Sequence, residues 1–319
     1  MSEHGLRADD ATMGTWAELA LKVRAYQRIM NTVSSPDDGT AFELADDSYP
    51  PESVSQWCRE GIRSALDHLG MWADYTVPLQ QFPGQVVHHG GFRWTYTLMR
   101  AAIEGAAQSI WLSDSASVQE AVARLVRMVR HDLDEEGKAF RADGRDVAAI
   151  EARLAKHEAA AALLTAFGTD TPHLPSMVDL VRNGAKATGL DPDRFEFHWR
   201  VCSAAAHGKD WAIRELQILP QEAEEWRPGQ FHFKGHVNAK MLTDALSDSV
   251  ELVTLAVGKY LHRSTKADLD LLIRRAIYDA AKATPQKDDG STLRRLAKEF
   301  GYEDDEELGA PDPGVVGPQ

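Results

Sequence analysis

Three polar side chains are predicted to line one face of a helix near residue 200. Arg200, Ser203 and His207 occupy positions i, i+3 and i+7 within residues 195–208. Residues at this spacing share a helix face over two turns. An arginine stays charged and neutralises phosphate, whereas a histidine exchanges a proton near neutral pH. The pattern suits phosphodiester cleavage, in which Ser203 would orient the imidazole or hydrogen-bond a phosphate.

An apolar face on the same segment would hold these groups against a core. It consists of Phe195, Trp199, Cys202 and Ala206 at helical spacing. The alanines at 204–206 leave room beside the polar face for a ligand or for another helix.

Other charged residues are candidates for substrate binding. Arg100 and Glu104 are spaced for an ion pair within one helix, and a partly buried pair would fix Arg200 or supply a second phosphate contact. A basic strip recurs every three residues at Arg124, Arg127 and Arg130. It would bind phosphates or, alternatively, pair with acidic neighbours on an exposed face. Those neighbours are Glu120, Asp132, Asp134 and Glu135.

Helical periodicity dominates the chain that must position these groups. The spacing of apolar residues predicts helices over 15–30, 52–75, 92–112, 117–133, 146–167, 175–187, 193–207, 239–262, 267–282 and 293–300. The clearest is 92–112, where apolar residues step by three and four throughout. These are Phe92, Tyr96, Met99, Ile103, Ala106 and Ile110. The prediction is an all-α multi-helix bundle.

Proline and glycine residues mark the boundaries between the predicted segments of the chain. Short alternating segments at 211–219 and 230–234 predict a small β-hairpin insertion within 211–235. The predicted organisation is an N-terminal helix with a flexible linker at 1–50, a helical bundle at 51–262, a C-terminal helical extension at 263–300 and a disordered acidic tail at 301–319.

The spacing of the two principal site residues resembles a known family. Arg200, six intervening residues and His207 near a helix end resemble the arginine-to-histidine motif of HEPN domains, and the segment 98–104 resembles uncharacterised bacterial helical proteins related to that group. The resemblance covers residues 92–262. Val201 departs from it, because HEPN nucleases usually carry a polar residue directly after the arginine.

The resemblance implies an all-α bundle that forms a homodimer. Paired motifs from two copies would build a metal-independent endoribonuclease site acting on RNA. It also implies a toxin or phage-defence role, with an antitoxin or another regulatory protein as partner. We therefore expect no metal and no cofactor, and neither GxGxxG nor GxxxxGK[ST] occurs in the sequence.

Charge and cysteine content restrict the partners and the compartment. The 35 Lys and Arg against 49 Asp and Glu give a formal net charge of -14, so a nucleic-acid site must be a local basic patch. Two cysteines, Cys58 and Cys202, indicate buried reduced thiols rather than a disulfide scaffold. The sequence contains no apolar run of about 20 residues, so the chain is expected to be cytoplasmic and not to contact a membrane.

Two alternatives to a nuclease remain open on these residues. In a non-catalytic interaction or regulatory module, Arg200 would pair with a carboxylate such as Glu104 and His207 would cap its helix. In a small-molecule binder, Arg200 would hold an anionic ligand beside the alanines at 204–206.

Overall fold

The computed structural model describes residues 9–77, 93–165, 173–218, 224–228, 230–232, 236–284 and 291–302. Helices form almost all of the regular structure in these ranges, which confirms the predicted all-α bundle. The helices are α1 (Asp10–Thr32), α2 (Ala41–Ser48), α3 (Val54–Thr76), α4 (Arg93–Ser113), α5 (Val118–Ala142), α6 (Ala148–Thr165), α7 (Met177–Ala187), α8 (Pro192–Ala206), α9 (Asp210–Leu216), α10 (Ala239–Ser264), α11 (Leu269–Ala283) and α12 (Ser291–Phe300). The strands are β1 (Gln217–Ile218), β2 (Glu224–Arg227), β3 (Gln230–His232) and β4 (His236–Val237).

Side-chain caps define where most helices begin. The Asp9 carboxylate accepts the Thr12 N–H at 2.8 Å at the start of α1, and the Ser117 hydroxyl accepts the Glu120 N–H at 3.1 Å at the start of α5. Such caps satisfy amide groups that have no partner within the helix. The same arrangement begins six other helices, with caps at Thr40, Ser53, Ser176, Asp191, Asn238 and Asp268.

Helix α4 lies at the centre of the bundle and packs against α3, α7, α8 and α10. Its predicted apolar stripe is confirmed over the described residues, since each member has no exposed surface. These members are Tyr96, Met99, Ile103, Ala106 and Ile110. Phe92, the first residue of the predicted stripe, lies outside the described residues. The buried stripe fixes the rotation of α4, and with it the directions of Arg100 and Glu104.

Two glycines allow α3 and α4 to approach closely. A Cβ built on Gly105 of α4 would lie 2.6 Å from the carbonyl oxygen of Gly61 on α3. No real side chain tolerates that distance, so the two backbones must touch here. The Ser109 hydroxyl adds a bond across the same interface by donating to the Cys58 carbonyl at 2.9 Å.

The N-terminal region contains a helix that the sequence reading missed. Residues 41–48, assigned from their Asp, Ser, Gly and Pro content to a flexible linker, form α2. Its Phe42 and Ala45 are buried, and Glu43 accepts the Gly39 N–H at 3.1 Å in a capping box with Thr40. The preceding helix is docked on the bundle, since the Trp16 indole of α1 donates to Thr243 of α10 at 2.9 Å.

The predicted hairpin at 211–235 is only partly as expected. Most of the segment 211–219, predicted as a strand, belongs to helix α9, in which Ala212 and Leu216 are buried at helical spacing. The remaining strands form two antiparallel pairs, β1 with β4 and β2 with β3. A segment of about two turns is too short to distinguish the two periodicities, and packing against the bundle selects the helix.

The C-terminal helices pack onto the N-terminal one. Helix α11 contacts α1, and α12 contacts α11 through a small apolar cluster that includes Tyr278 and Leu296. The predicted acidic tail from 303 onward lies outside the described residues.

Within the described ranges, no helix has both the length and the apolar character needed to cross a bilayer.

Candidate functional site

Helix α8 carries the candidate residues and has well-defined ends. Asp191 caps its start, and Pro192 occupies the first turn, where a missing N–H costs nothing. His207 is the C-terminal cap, followed by Gly208 with φ of +67°. The Lys209 N–H returns to the Ala204 carbonyl at 2.9 Å and closes the end of the helix. The His207 imidazole is consequently presented at an exposed helix terminus.

His207 contacts an arginine that is distant in sequence. The Arg100 guanidinium of α4 donates through Nη1 to His207 Nε2 at 2.9 Å. A guanidinium has no acceptor, so Nε2 must offer its lone pair and any ring proton must be on Nδ1. The histidine is therefore held in one neutral tautomer, with its basic Nε2 directed at a cation.

Glu104 organises the rest of this cluster. Its Oε1 accepts Arg100 Nε at 2.8 Å and the Trp199 indole N–H at 2.9 Å. The Arg100 and Glu104 side chains are 28% and 23% exposed, which places the pair at the edge of the core. The predicted ion pair between Arg100 and Glu104 is present, and it positions His207 and Trp199.

Arg200 makes a separate set of contacts. Its Nε donates to Glu196 Oε1 at 2.7 Å, and its side chain remains 54% exposed. Arg182 of α7 also binds Glu196, and it contacts Asp193 at 2.7 Å. Hydrogen bonds from Arg200 and then Arg182 hold the pKa of the Glu196 carboxyl below its usual value. Arg200 thus pairs with a carboxylate, as the interaction-module alternative expects, but the partner is Glu196 of its own helix rather than Glu104.

The three predicted catalytic residues share a face without touching one another. Arg200 and His207 lie two turns apart, about 10 Å along the helix axis. Ser203 between them is half-buried and makes no side-chain hydrogen bond to the described part of the chain. Ala204 and Ala205, expected to leave room for a ligand, are buried in the core. Arg100, rather than Arg200 or Ser203, is the residue that contacts His207, the candidate general base.

The basic strip on α5 is largely engaged in packing. Arg124 binds Glu120 at 2.5 Å and the Trp111 carbonyl, and its guanidinium lies 5.3 Å from the Trp111 ring centroid. Arg130 pairs with Glu158 of α6 at 3.2 Å. Burial, and then the neighbouring Arg124, lower the pKa of Arg127. These contacts link α5 to α4 and α6 rather than to α8.

A buried charged cluster on the opposite side of α8 was not predicted. Asp248 of α10 is fully buried and accepts His198 Nδ1 at 2.6 Å and Arg194 Nε at 2.9 Å. The Asp248 hydrogen bond raises the pKa of Arg194. The spacing of Arg194 and His198, one turn apart, was the available signal, but their shared partner lies 50 residues further along the chain.

The two cysteines are free and buried, as predicted. Burial raises the pKa of both thiols, so they have little thiolate character. Among the described residues, no three His, Cys, Asp or Glu side chains are grouped to hold a metal ion.

The chain matches no protein-family model, no curated protein and no solved structure.

Proposed function

We propose that the chain is a HEPN-like, metal-independent endoribonuclease with a toxin or phage-defence role. Arg200 and His207 of α8, assisted by Arg100 of α4, would act on the scissile phosphate. The observation that carries the proposal is the 2.9 Å contact between Arg100 and His207 at an exposed helix end. It joins a permanent cation to a neutral imidazole on the face that also presents Arg200.

The contact suggests how phosphate would activate the site. In the free protein Arg100 occupies His207 Nε2, the nitrogen that would take a proton from a ribose 2′-hydroxyl. A phosphate is a stronger partner for a guanidinium than an imidazole is. Binding of RNA would draw Arg100 onto the phosphate and release Nε2. The 2′-oxygen would then attack phosphorus as its proton moves to His207, while Arg100 and Arg200 stabilise the developing charge.

A homodimer would complete this site. Arg200 and His207 are about 10 Å apart along their helix, so one pair covers only part of a dinucleotide. A second copy of the motif, facing the first, would add its arginines to the phosphate contacts, and the departing 5′-oxygen would take up the proton that His207 removed from the 2′-hydroxyl. The products would be a 2′,3′-cyclic phosphate and a 5′-hydroxyl.

The first prediction concerns cleavage of end-labelled RNAs in EDTA. We expect the wild-type protein to leave 2′,3′-cyclic phosphate ends, and Arg200→Ala, His207→Ala and Arg100→Ala each to reduce the rate by at least about 100-fold. Arg214→Ala removes an exposed arginine that is paired with Asp210 in the same i, i+4 manner as Arg200 with Glu196, and His262→Ala removes an exposed histidine on α10. Both controls should cut at the wild-type rate.

A non-catalytic interaction or regulatory module is the second candidate. It is favoured by the pairing of both site residues within the chain, Arg200 with Glu196 and His207 with Arg100. The formal charge of -14 also opposes polyanion binding at long range. A wild-type protein that cuts no RNA, with site variants that differ only in thermal stability, would establish this function in place of the nuclease.

A further inference from the structure

A cleft of about 470 Å³ opens between α3, α4, α5 and the start of α7. This volume is within the range of sites that bind small molecules. Its lining includes Trp57, Gln108, Met128, His131, His173 and Leu180. The proposed nuclease residues Arg200 and His207 are not part of this lining.

Three polar side chains in the cleft lack hydrogen-bond partners. In the described part of the chain, the side chains of Gln108, His131 and His173 make no hydrogen bond to protein groups. Gln108 is half-buried on α4, whereas His131 and His173 are exposed. All three side chains are therefore open to a ligand that enters the cleft. Polar groups beside apolar walls are typical of a binding site.

Trp57 provides a rigid aromatic wall. Its indole N–H donates to Glu52 Oε2 at 3.1 Å, which fixes the ring and uses its one donor. The ring is therefore left to interact through its π-system. Met128 and Leu180 extend the apolar lining, so a flat, partly apolar molecule fits better than a sugar or an inorganic ion.

The histidines do not form a metal site with Asp132, which also lines the cleft. No group of three potential ligands in the described residues is arranged to hold a metal. His131 and Asp132 are consecutive on α5, so their side chains diverge by about 100°. The chemistry of the cleft is that of an organic ligand with several hydrogen-bonding groups.

We propose that this cleft binds a nucleobase-containing small molecule, with the base against Trp57 and its hydrogen-bonding edge on Gln108. A side-chain amide carries donors and an acceptor in one plane, which matches the adjacent donor and acceptor of a base edge. Aromatic side chains stack on bases because every base has a π-face. His131, His173 and Asp132 would bind the attached sugar, or a phosphate in a nucleotide. The proposal is independent of the nuclease function.

The test is isothermal titration of the full chain with the four ribonucleosides, their 5′-monophosphates and inorganic phosphate. We expect at least one nucleoside or monophosphate to bind one-to-one with a Kd between micromolar and about 1 mM. Equal affinity of nucleoside and monophosphate would identify the sugar as the group held by the histidines. Tighter binding of the monophosphate would identify the phosphate.

Substitutions of Gln108 test whether the ligand binds in this cleft. Gln108→Leu should weaken it at least about tenfold, the effect of losing one bidentate base contact. Gln108→Glu keeps the shape and removes the amide donors, so it should change the order of preference among the bases. Gln119→Leu, at an exposed position on α5, should have no effect.

Three results would overturn the proposal. The first is no binding of any nucleoside or monophosphate at millimolar concentration. The second is inorganic phosphate binding as tightly as the monophosphates, which would make the cleft an anion site. The third is unchanged affinity and base preference in both Gln108 variants.

Discussion

Two histidines on α8 show how the environment of a residue decides its chemical role. His198 is buried and donates to the Asp248 carboxylate, whereas His207 is exposed and accepts from the Arg100 guanidinium. The first arrangement uses a fixed donor to join α8 to α10. The second presents an imidazole at the surface, held by a cation that is itself paired with Glu104. The two side chains are chemically identical, and only their neighbours in the folded chain give them different roles.

The second prediction concerns the buried carboxylate of Asp248. Asp248→Asn leaves His198 and Arg194 without a charged partner, and breaking a buried pair costs about 3 kcal/mol at the lower end of the usual range. The lower end applies because Arg194 is half exposed and can be solvated. Urea unfolding would measure the change. Asp244→Asn, one turn earlier on α10 and paired with exposed Lys240, should cost less than about 1 kcal/mol. Equal costs for the two variants would show that the buried cluster does not hold α8 to α10.

At the scale of elements, the crossing of α3 and α4 depends on the absence of side chains. Gly105 approaches the Gly61 carbonyl so closely that a methyl group would have to push the helices apart. Because α4 carries Arg100, Glu104 and Gln108, a shift of this helix would disturb both the α8 site and the cleft.

The third prediction tests this crossing with a matched pair of glycines. Gly105→Ala should destabilise the protein by about 1–3 kcal/mol through overpacking. Gly258→Ala on α10, where a Cβ meets nothing within 4 Å, should stabilise it by up to about 1 kcal/mol, because alanine favours the helix. Thermal unfolding of both variants decides the question. A stabilising Gly105→Ala would mean that the helices are free to separate without cost.

Helix α6 is tied to the segment after α2 by a buried histidine. His157 Nδ1 lies 2.8 Å from the Tyr49 hydroxyl, and its Nε2 lies 3.8 Å from Glu52. Burial lowers the pKa of His157, opposed by Glu52 and reinforced by Arg153 and Lys156. Burial and then Glu52 raise the pKa of Tyr49 to about 12, so its hydroxyl stays protonated at neutral pH.

The fourth prediction follows from the direction of the His157 shift. A histidine whose pKa falls on folding contributes stability above its ordinary pKa of 6.5, and that contribution is lost as the pH falls through the lower folded value. The wild type should therefore lose more unfolding free energy between pH 7 and pH 5 than His157→Gln, which has no group to titrate there. Urea unfolding of both proteins at pH 7, 6 and 5 measures this loss of unfolding free energy. Parallel pH profiles for the two proteins would contradict the assignment.

At the scale of the whole molecule, α4 connects the two proposed activities. Arg100 and Gln108 are eight residues apart, about 12 Å along the helix axis. The first reaches the end of α8, and the second reaches the cleft beside α5 and α7. The acidic charge of the whole chain makes any RNA contact depend on the local cations Arg100 and Arg200.

Features that depend on neighbours within one or two helical turns could be predicted from local residue spacing. The apolar stripe of α4, the helix that carries Arg200 and His207, and the Arg100–Glu104 pair were all readable because helical periodicity places i, i+3 and i+4 residues together. Helices α2 and α9 were missed because each spans only about two turns, which is too short to define a period.

Contacts between residues that are far apart in the chain became visible only in the folded molecule. His207 and Arg100 are 107 residues apart, His198 and Asp248 are 50 apart, and the cleft around Gln108 draws on four separate segments. These contacts depend on how the buried stripes rotate and stack the helices, and the shared apolar core sets that geometry. No local pattern encodes it, because the hydrophobic effect that drives the packing is not directional.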